Sequence, residues 1–546
     1  MATQITEVRL LNVPLSIKQI HTFYFNSISE QTAYFKSKTI YYEPELSYQR
    51  KDTSIRFPKK YDEINNCNYL MYKNSAYSDK WIYAFITDKK YISQGLTEIQ
   101  IKTDPIQTRF FDYTVKASFV EREHVNDDTI GMHTVPEGLE TGEYKVAGIF
   151  NNSEMLKSNS KLILATTVDL NNTEGIFNPR LAPVTGDKYN GLFSGVKYYV
   201  CTEEQAKNAI ALMLEEGQSD ALTSVFIAPD CFFDTTKKSD ETYYYVSSST
   251  DAKTIDWNGN ANGATMEKPT AIDKTYTPKN NKLLTYPYCY MLLSNNAGGS
   301  AIYRFEAFST QPSFKIKGSI TPGMSIRAIP QSYNGILNNN EEGLTAGKYP
   351  ICSWANDVYT NWLTQTSVNR GVNIFTGLAT VAISAASIAS AVPTGGASIP
   401  AGSALTASLA GVGGVVGGVS MVGNSLGQVY QQSFQPPQAS GNTNSGDVTY
   451  SSGFSTFTAY TMTIKKEYAK IIDGFFDMYG YKVNEVKVPN KNHRENYWYT
   501  KLIDPNITAP IPQDELQEIQ DCYSKGITFW KNPDLIGDYS VSNNII

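Results

Sequence analysis

Between Gly371 and Gly446 the chain carries no Asp, Glu, Lys, Arg or His. Such a segment can enter an apolar medium without the ~2.5–3.5 kcal/mol that each charged side chain costs at a bilayer centre. Its first part holds two apolar arms, Val372–Val392 and Ala404–Leu426. Each is roughly 20 residues long, which at 1.5 Å per residue spans about 30 Å of hydrocarbon as a helix. Between the arms, Pro393 to Pro400 with Gly395 and Gly396 makes a turn. The expectation is an uncharged helical hairpin.

The first arm presents Val372, Phe375, Leu378, Val381, Ile383, Ile388 and Val392. On the second, Leu405, Leu409, Val412, Val416, Val419, Val422 and Leu426 recur at spacings of three and four, a single helical stripe. A row of small residues, Ala407, Gly411, Gly414 and Gly418, lies on another face and allows close backbone approach in lipid. In water each interior glycine costs a helix about 1 kcal/mol against alanine. Tyr359 and Trp362 precede the hairpin, and Tyr430 and Phe434 follow it. A hairpin puts both flanks on one side, where aromatic rings sit at headgroup level. Each apolar residue of an arm contributes roughly −0.3 to −0.6 kcal/mol to insertion, and Ser, Thr, Asn and Gly erode that sum. One hairpin alone is a marginal inserter. Two other readings stand beside this one, a buried Gly/Ala-rich core element and a low-complexity linker. A linker lacks an aliphatic stripe, and a core hairpin rarely runs so far without a charge.

The rest of the chain is of a different kind. Its 546 residues are 41% hydrophobic with a mean hydropathy of −0.33, which excludes a polytopic membrane protein. With 47 basic against 53 acidic side chains it has no basic excess for gripping nucleic acid. Six scattered cysteines without a CxxC pair fit a reducing compartment rather than a disulfide scaffold. Residues 1–21 contain no basic stretch followed by an apolar run, so no secretory signal is expected.

The expected fold class is mainly β with some α, an α+β chain with an inserted middle domain and the long hydrophobic hairpin. Five segments follow from the pattern. Residues 1–150 read as β-rich, with Trp81-Ile82-Tyr83-Ala84-Phe85-Ile86 as one strand, Ile99-Gln100-Ile101-Lys102 as another, and Gln94-Gly95 as a hairpin connection. Residues 151–285 mix types. Leu162 to Val168 is a candidate buried strand, and Thr202 with Gln205 forms a capping box. That box opens a helix through Ala206, Ile210, Met213 and Leu214, ended by Gly217. From about 236 to 283, Lys, Asp, Thr, Asn and Gly predict exposed turns. Residues 286–370 return to short strands such as Ala301–Phe305 and Ser313–Ile316. Residues 371–446 are the uncharged segment. Residues 447–546 complete the body with two core helices, one through Tyr468, Ile471, Ile472, Phe475, Phe476 and Tyr479 before Gly480. The other runs through Leu516, Ile519, Cys522 and Tyr523 before Gly526.

No catalytic or metal-binding constellation emerges, and no cofactor is expected. His21, His124, His133 and His493 are isolated and read as surface or internally satisfied residues. The Gly411–Gly417 run lacks the βαβ context and the following acid of a dinucleotide loop, and Gly347-Lys348 is followed by Tyr349 rather than Ser or Thr. Glu121/Glu123 and Asp127/Asp128 read as solvated acid pairs.

Several runs carry a family resemblance. They are Asn74-Ser75-Ala76-Tyr77-Ser78-Asp79-Lys80-Trp81-Ile82-Tyr83-Ala84-Phe85, Thr103-Asp104-Pro105-Ile106-Gln107-Thr108-Arg109-Phe110-Phe111-Asp112 and Ser118-Phe119-Val120-Glu121-Arg122-Glu123-His124-Val125. Tyr286-Pro287-Tyr288-Cys289, Phe475 to Asn484, Gly526 to Trp530 and Gly537 to Val541 add to them. Together they resemble the distal tail tube, or tail knob, proteins of small short-tailed phages of the phi29-like (Picovirinae) group. The resemblance covers both ends of the chain in the same order, and little of it lies in 151–284.

It implies a non-enzymatic virion protein at the distal tip of the tail, assembled in the host cytoplasm as a homohexamer and docked to other phage tail proteins. It also implies β-barrel-like tube domains around a lumen for genomic DNA, passed without sequence recognition and closed by hydrophobic loops. On ejection these loops enter the host cytoplasmic membrane as a pore. Two alternatives of other classes share some features. A pore-forming toxin also keeps a soluble body and an insertable hairpin. A tail-associated cell-wall hydrolase needs an acid pair or a metal in a cleft.

Overall fold

The computed structural model describes residues 5–47, 51–74, 80–153, 160–167, 197–215, 221–232, 244–246, 254–318, 325–335, 343–346, 351–353 and 456–546, with isolated positions at 156, 170, 188–189 and 192–193. The chain is mostly β. It forms two compact units, Met1–Gly142 with Pro278–Leu283 and Lys466–Ile546, and Glu143–Thr277 with Leu284–Lys465.

The first unit is built on two sheets. Six antiparallel strands run in the order Thr39–Ser47, Ile5–Leu11, Tyr69–Asn74, Trp81–Ser93, Leu96–Thr103, Ser54–Phe57. The Gln94-Gly95 hairpin forms as expected, closing on the pair Ser93 and Leu96. The middle strand, Tyr69–Asn74, is buried on both faces. Leu70 and Tyr72 join Val8, Leu10, Ile99 and Ile101 on one side, while Tyr69 and Met71 join Phe23, Phe35, Tyr83 and Phe85 on the other.

A second sheet orders His21–Phe23, Ile527–Trp530, Tyr497–Ile503, Ser118–Glu123 and Tyr481–Lys487, with only the first pair parallel. Its core stacks Trp498 on Phe529, centroids 5.4 Å apart, over Ile519, Cys522 and Tyr523 of the helix Gln513–Lys525. That helix matches the sequence reading, with Leu516 half-buried at its border.

The other expected helix, Lys466–Tyr479, is present but turned. Its buried face is Ala469, Ile472, Asp473 and Phe476, whereas Ile471 is 70% exposed. The cause is Asp473, whose carboxylate the core requires. It accepts from the Lys279 and Asn280 backbone N–H groups at 2.8 and 3.1 Å and from the Asn280 side chain at 2.8 Å. The neighbouring residues are held by acids in the same way. Asn281 N–H donates to Asp128 at 2.9 Å, Lys279 pairs with Asp477, and buried Lys282 pairs with buried Glu137, which also takes Arg122. Breaking one side of such a buried pair costs about 3–5 kcal/mol, because the other charge stays buried and unpaired.

These residues correct the expectation of exposed turns up to 283. From 254 onward Trp257, Met266, Ile272 and Leu283 are core residues, and Asn280 and Lys282 are buried. The Trp257 indole N–H donates to the Gly259 carbonyl while its ring packs on Phe314. Of the acids read as solvated, Glu123 is fully buried against Asn490 and Lys487, and Asp128 accepts from Tyr481 and Asn281. Only Asp127 is exposed, while Glu121 is half-buried and pairs with Lys501.

The second unit holds three larger antiparallel sheets. One orders Tyr144–Asn151, Thr458–Ile464, Cys289–Ser294 and Ser300–Tyr303. A five-stranded sheet orders Tyr244–Val246, Lys197–Cys201, Ser160–Thr166, Leu222–Pro229 and Ile351–Ser353, with the expected buried strand at its centre. The third contains Ile255–Trp257, Phe314–Lys317, Arg327–Pro330 and Leu344–Thr345. The helix Glu203–Glu215 opens on the full capping box. Thr202 N–H donates to Gln205 Oε1 at 3.0 Å, and Gln205 N–H donates back to Thr202 Oγ1 at 3.3 Å. Ala206, Ile210 and Met213 are buried as expected, and Gly217 lies outside the described residues.

Gly480 follows helix Lys466–Tyr479 at φ +63°, and a Cβ there would lie 2.1 Å from the Glu123 carbonyl oxygen. Glu123 sits in a strand paired on both sides, so it cannot retreat. Gly480→Ala is expected to lower unfolding free energy by more than ~2 kcal/mol, since the left-handed backbone alone costs about 1–2 kcal/mol and the clash adds to it. Urea denaturation of the two proteins measures this. A loss of a few tenths would contradict the packing described.

Candidate functional site

Every residue named as membrane-active lies outside the described residues. That holds for Val372 to Leu426, the small row Ala407 to Gly418, and the flanking aromatics Tyr359, Trp362, Tyr430 and Phe434. The structure instead places the two ends that carry them, and the ends differ. The chain leaves from Ile351–Ser353, a three-residue strand that among the described residues lies at a sheet edge and pairs only with Ser224–Phe226. It returns into Thr458–Ile464, which is laddered on both sides by Tyr144–Asn151 and Cys289–Ser294.

Two asparagines fix the returning chain before that strand begins. Asn152, 1% exposed, accepts the fully buried Phe457 N–H on its side-chain oxygen at 2.8 Å and donates its own N–H to the Phe457 carbonyl at 3.3 Å. Asn296 Nδ2 donates to the Thr456 carbonyl at 3.1 Å. Sequence reasoning missed Asn152, Asn296 and Phe457, because their partners are up to 305 residues away and no local pattern marks them. Mechanically, a load on 354–455 meets one ladder at its start and two ladders plus these clamps at its end.

The run Thr103 to Asp112, one of those that carried the family resemblance, is a joint in the first unit. Asp104 caps the short helix Pro105–Thr108, accepting from Gln107 N–H at 3.1 Å and from the Tyr69 hydroxyl at 2.9 Å. Burial pushes its carboxyl up to about 6. The Gln107 side chain donates to Thr22 Oγ1 and the Phe23 carbonyl and accepts from Gln31, so one buried amide ties three segments. Arg109 reaches Glu515 on helix Gln513–Lys525 at 2.5 Å. These groups have their hydrogen bonds made within the fold, which suits a scaffold.

The remaining candidates for chemistry are also accounted for. His124 is buried, with Nε2 donating to the Asp477 carbonyl at 3.0 Å and Nδ1 accepting the Tyr499 N–H at 2.7 Å, the tautomer this network requires. Burial pushes the Cys201 and Cys522 thiols up to about 12, away from reactive thiolate. Among the described residues no group of three or more His, Cys, Asp or Glu could hold a metal ion, and no helix is long and apolar enough to cross a membrane.

Similarity to known proteins, rather than chemistry at any site, assigns the class of this mostly β chain: a structural protein of a virion tail. The chain belongs to the phi29 tail knob family. The family model described as Bacillus phage phi29, tail knob protein gp9, C-terminal domain matches residues 251–544, and that of the caudoviral major tail protein N-terminus matches 4–114. The chain is 24% identical to tail knob protein gp9 of Bacillus phage phi29 over 99% of its length and 98% of that protein's. It is 26% identical to the tail knob protein gp9 of Bacillus phages PZA and B103 over the same shares. The tail knob protein gp12 of bacteriophage C1 has the same fold, with a TM-score of 0.65 at 14% identity, covering 99% of this chain and 100% of that one.

His124 makes the body acid-sensitive in a defined way. Burial first, and then the Arg494 charge, push its pKa down to about 3, so it stays neutral in the fold while the unfolded chain takes a proton near 6.5. Its contribution is present above about pH 6.5 and is lost as pH falls, by about 1.4 kcal/mol per unit. Comparing wild type with His124→Gln by urea denaturation, the wild-type advantage should shrink by about 2–3 kcal/mol between pH 6.5 and 4.5. Parallel profiles would remove His124 from this role.

Proposed function

We propose that the chain forms a homohexameric tube at the distal tip of the tail, joined to other tail proteins, and that genomic DNA leaves through it. Residues 371–426 close the lumen beforehand and then enter the host cytoplasmic membrane as a pore. The observation that carries this reading is the position of the uncharged segment in a chain of the tail knob family. It begins and ends in strands of one β unit, so it can change its surroundings without changing the fold of that body. The returning end is clamped by Asn152 and Asn296, which keeps a released segment attached.

Deleting residues 371–427 should leave tail assembly and adsorption intact and abolish potassium efflux and DNA delivery. Normal delivery by deletion particles would exclude the pore.

The trigger follows from what the segment lacks. Without Asp, Glu, His, Lys or Arg from Gly371 to Gly446, no side chain there changes charge between roughly pH 4 and 9. Release therefore comes from outside, from DNA pressing on the plug or from movement of the surrounding body. A peptide of residues 371–427 should release dye from liposomes equally at pH 5 and pH 7.5, and equally from neutral and anionic vesicles. A steep rise at low pH on neutral vesicles would put a trigger inside the segment.

A further inference from the structure

The four-stranded sheet of the second unit is apolar on both faces. One face, with Met291, Leu293, Ala459 and Tyr303, is buried. On the other, register aligns Val146, Met462 and Tyr290 in one row and Ile149, Tyr460, Leu292 and Ile302 in the next. Val146 and Ile149 are three residues apart and would point to opposite faces of a regular strand. The irregularity between Val146 and Gly148 turns both to the same side. Val146, Ile149 and Ile302 are 41%, 48% and 51% exposed, and the other four are half-buried. Neither row holds a charged residue. An antiparallel sheet that faces water is normally polar on that side.

The first unit carries a second row of this kind. Val486, Phe119 and Ile503 are aligned across three adjacent strands of its five-stranded sheet, with Val486 73% and Ile503 46% exposed. With strands ~4.8 Å apart, the first face covers a few hundred Å². That is less than the ~800 Å² each partner gives to a standard interface, so it forms the apolar centre, and bordering Ser294 and Asn151 belong to the rim. Two different apolar faces on one chain are what a head-to-tail contact between copies consumes. A two-fold contact through one face would leave the other wet.

We infer that the Val146/Ile149/Leu292/Ile302 face docks a second copy of this chain, which offers its Val486–Phe119–Ile503 row. The inference rests on the proposed assembly of copies into a tube and names the surfaces that join them. Repeated around a closed ring, the contact covers both faces of every copy.

The test uses the full chain with Ile149→Glu/Ile302→Glu on one face and Val486→Glu on the other. Circular dichroism checks the fold, and multi-angle light scattering reads mass over a concentration series. Wild type should form rings, and each variant should dissociate at concentrations about tenfold higher or more. Mixing the two variants should yield a 1:1 dimer that grows no further, because only one intact pair of faces remains. Wild type that stays monomeric overturns the tube and this contact together. Folded variants that assemble like wild type overturn the contact alone, as does a mixture that forms no dimer.

Discussion

Under the proposed function this chain folds in water first and crosses hydrocarbon later, so it cannot mix the two chemistries. Charge is costly in the membrane, and apolar surface is costly in water. In this protein the separation is made along the sequence. The segment from Gly371 to Gly446 holds no ionisable side chain, and the body on either side carries the charge. All else follows from how that body is kept rigid while it carries such an insertion.

Within the first unit, rigidity comes from paired buried charge and long-range side-chain to backbone bonds. Four acids, Asp128, Glu137, Asp473 and Asp477, receive the donors of residues 279–282, and Asp104 with Gln107 ties the six-stranded sheet to its surroundings. Contacts of this kind are directional, so they resist sliding in a way that apolar packing alone does not. The run Thr103 to Asp112 is conspicuous because its joint uses Asp104 at a cap, Pro105 after it and Gln107 within reach of Thr22, Phe23 and Gln31.

Local signals in the sequence read well where the structure is local. The Thr202/Gln205 box, the Gln94-Gly95 hairpin and the strand at Leu162 depend on neighbours in the chain, and each is found. Failures came where a distant partner decides the outcome. Asn280 and Lys282 have turn chemistry but are buried, because acids up to 197 positions away accept their hydrogen bonds. Ile471 looked like core and faces outward, because Asp473 claims the inner side of that helix. Glu123 looked solvated for want of any local hint of Asn490 and Lys487. Of the candidate site, the uncharged segment was legible as composition, while its anchors at Asn152, Phe457 and Asn296 were not.

The central claim is that residues 371–427 move from the lumen into the membrane while the β body keeps its fold. Cryo-electron microscopy of full and emptied particles tests it most directly. The account predicts density for the segment inside the tube of full particles and its absence there after ejection, with Thr458–Ile464 and its two neighbouring strands unchanged in both. Identical segment density within the lumen before and after DNA release would contradict it.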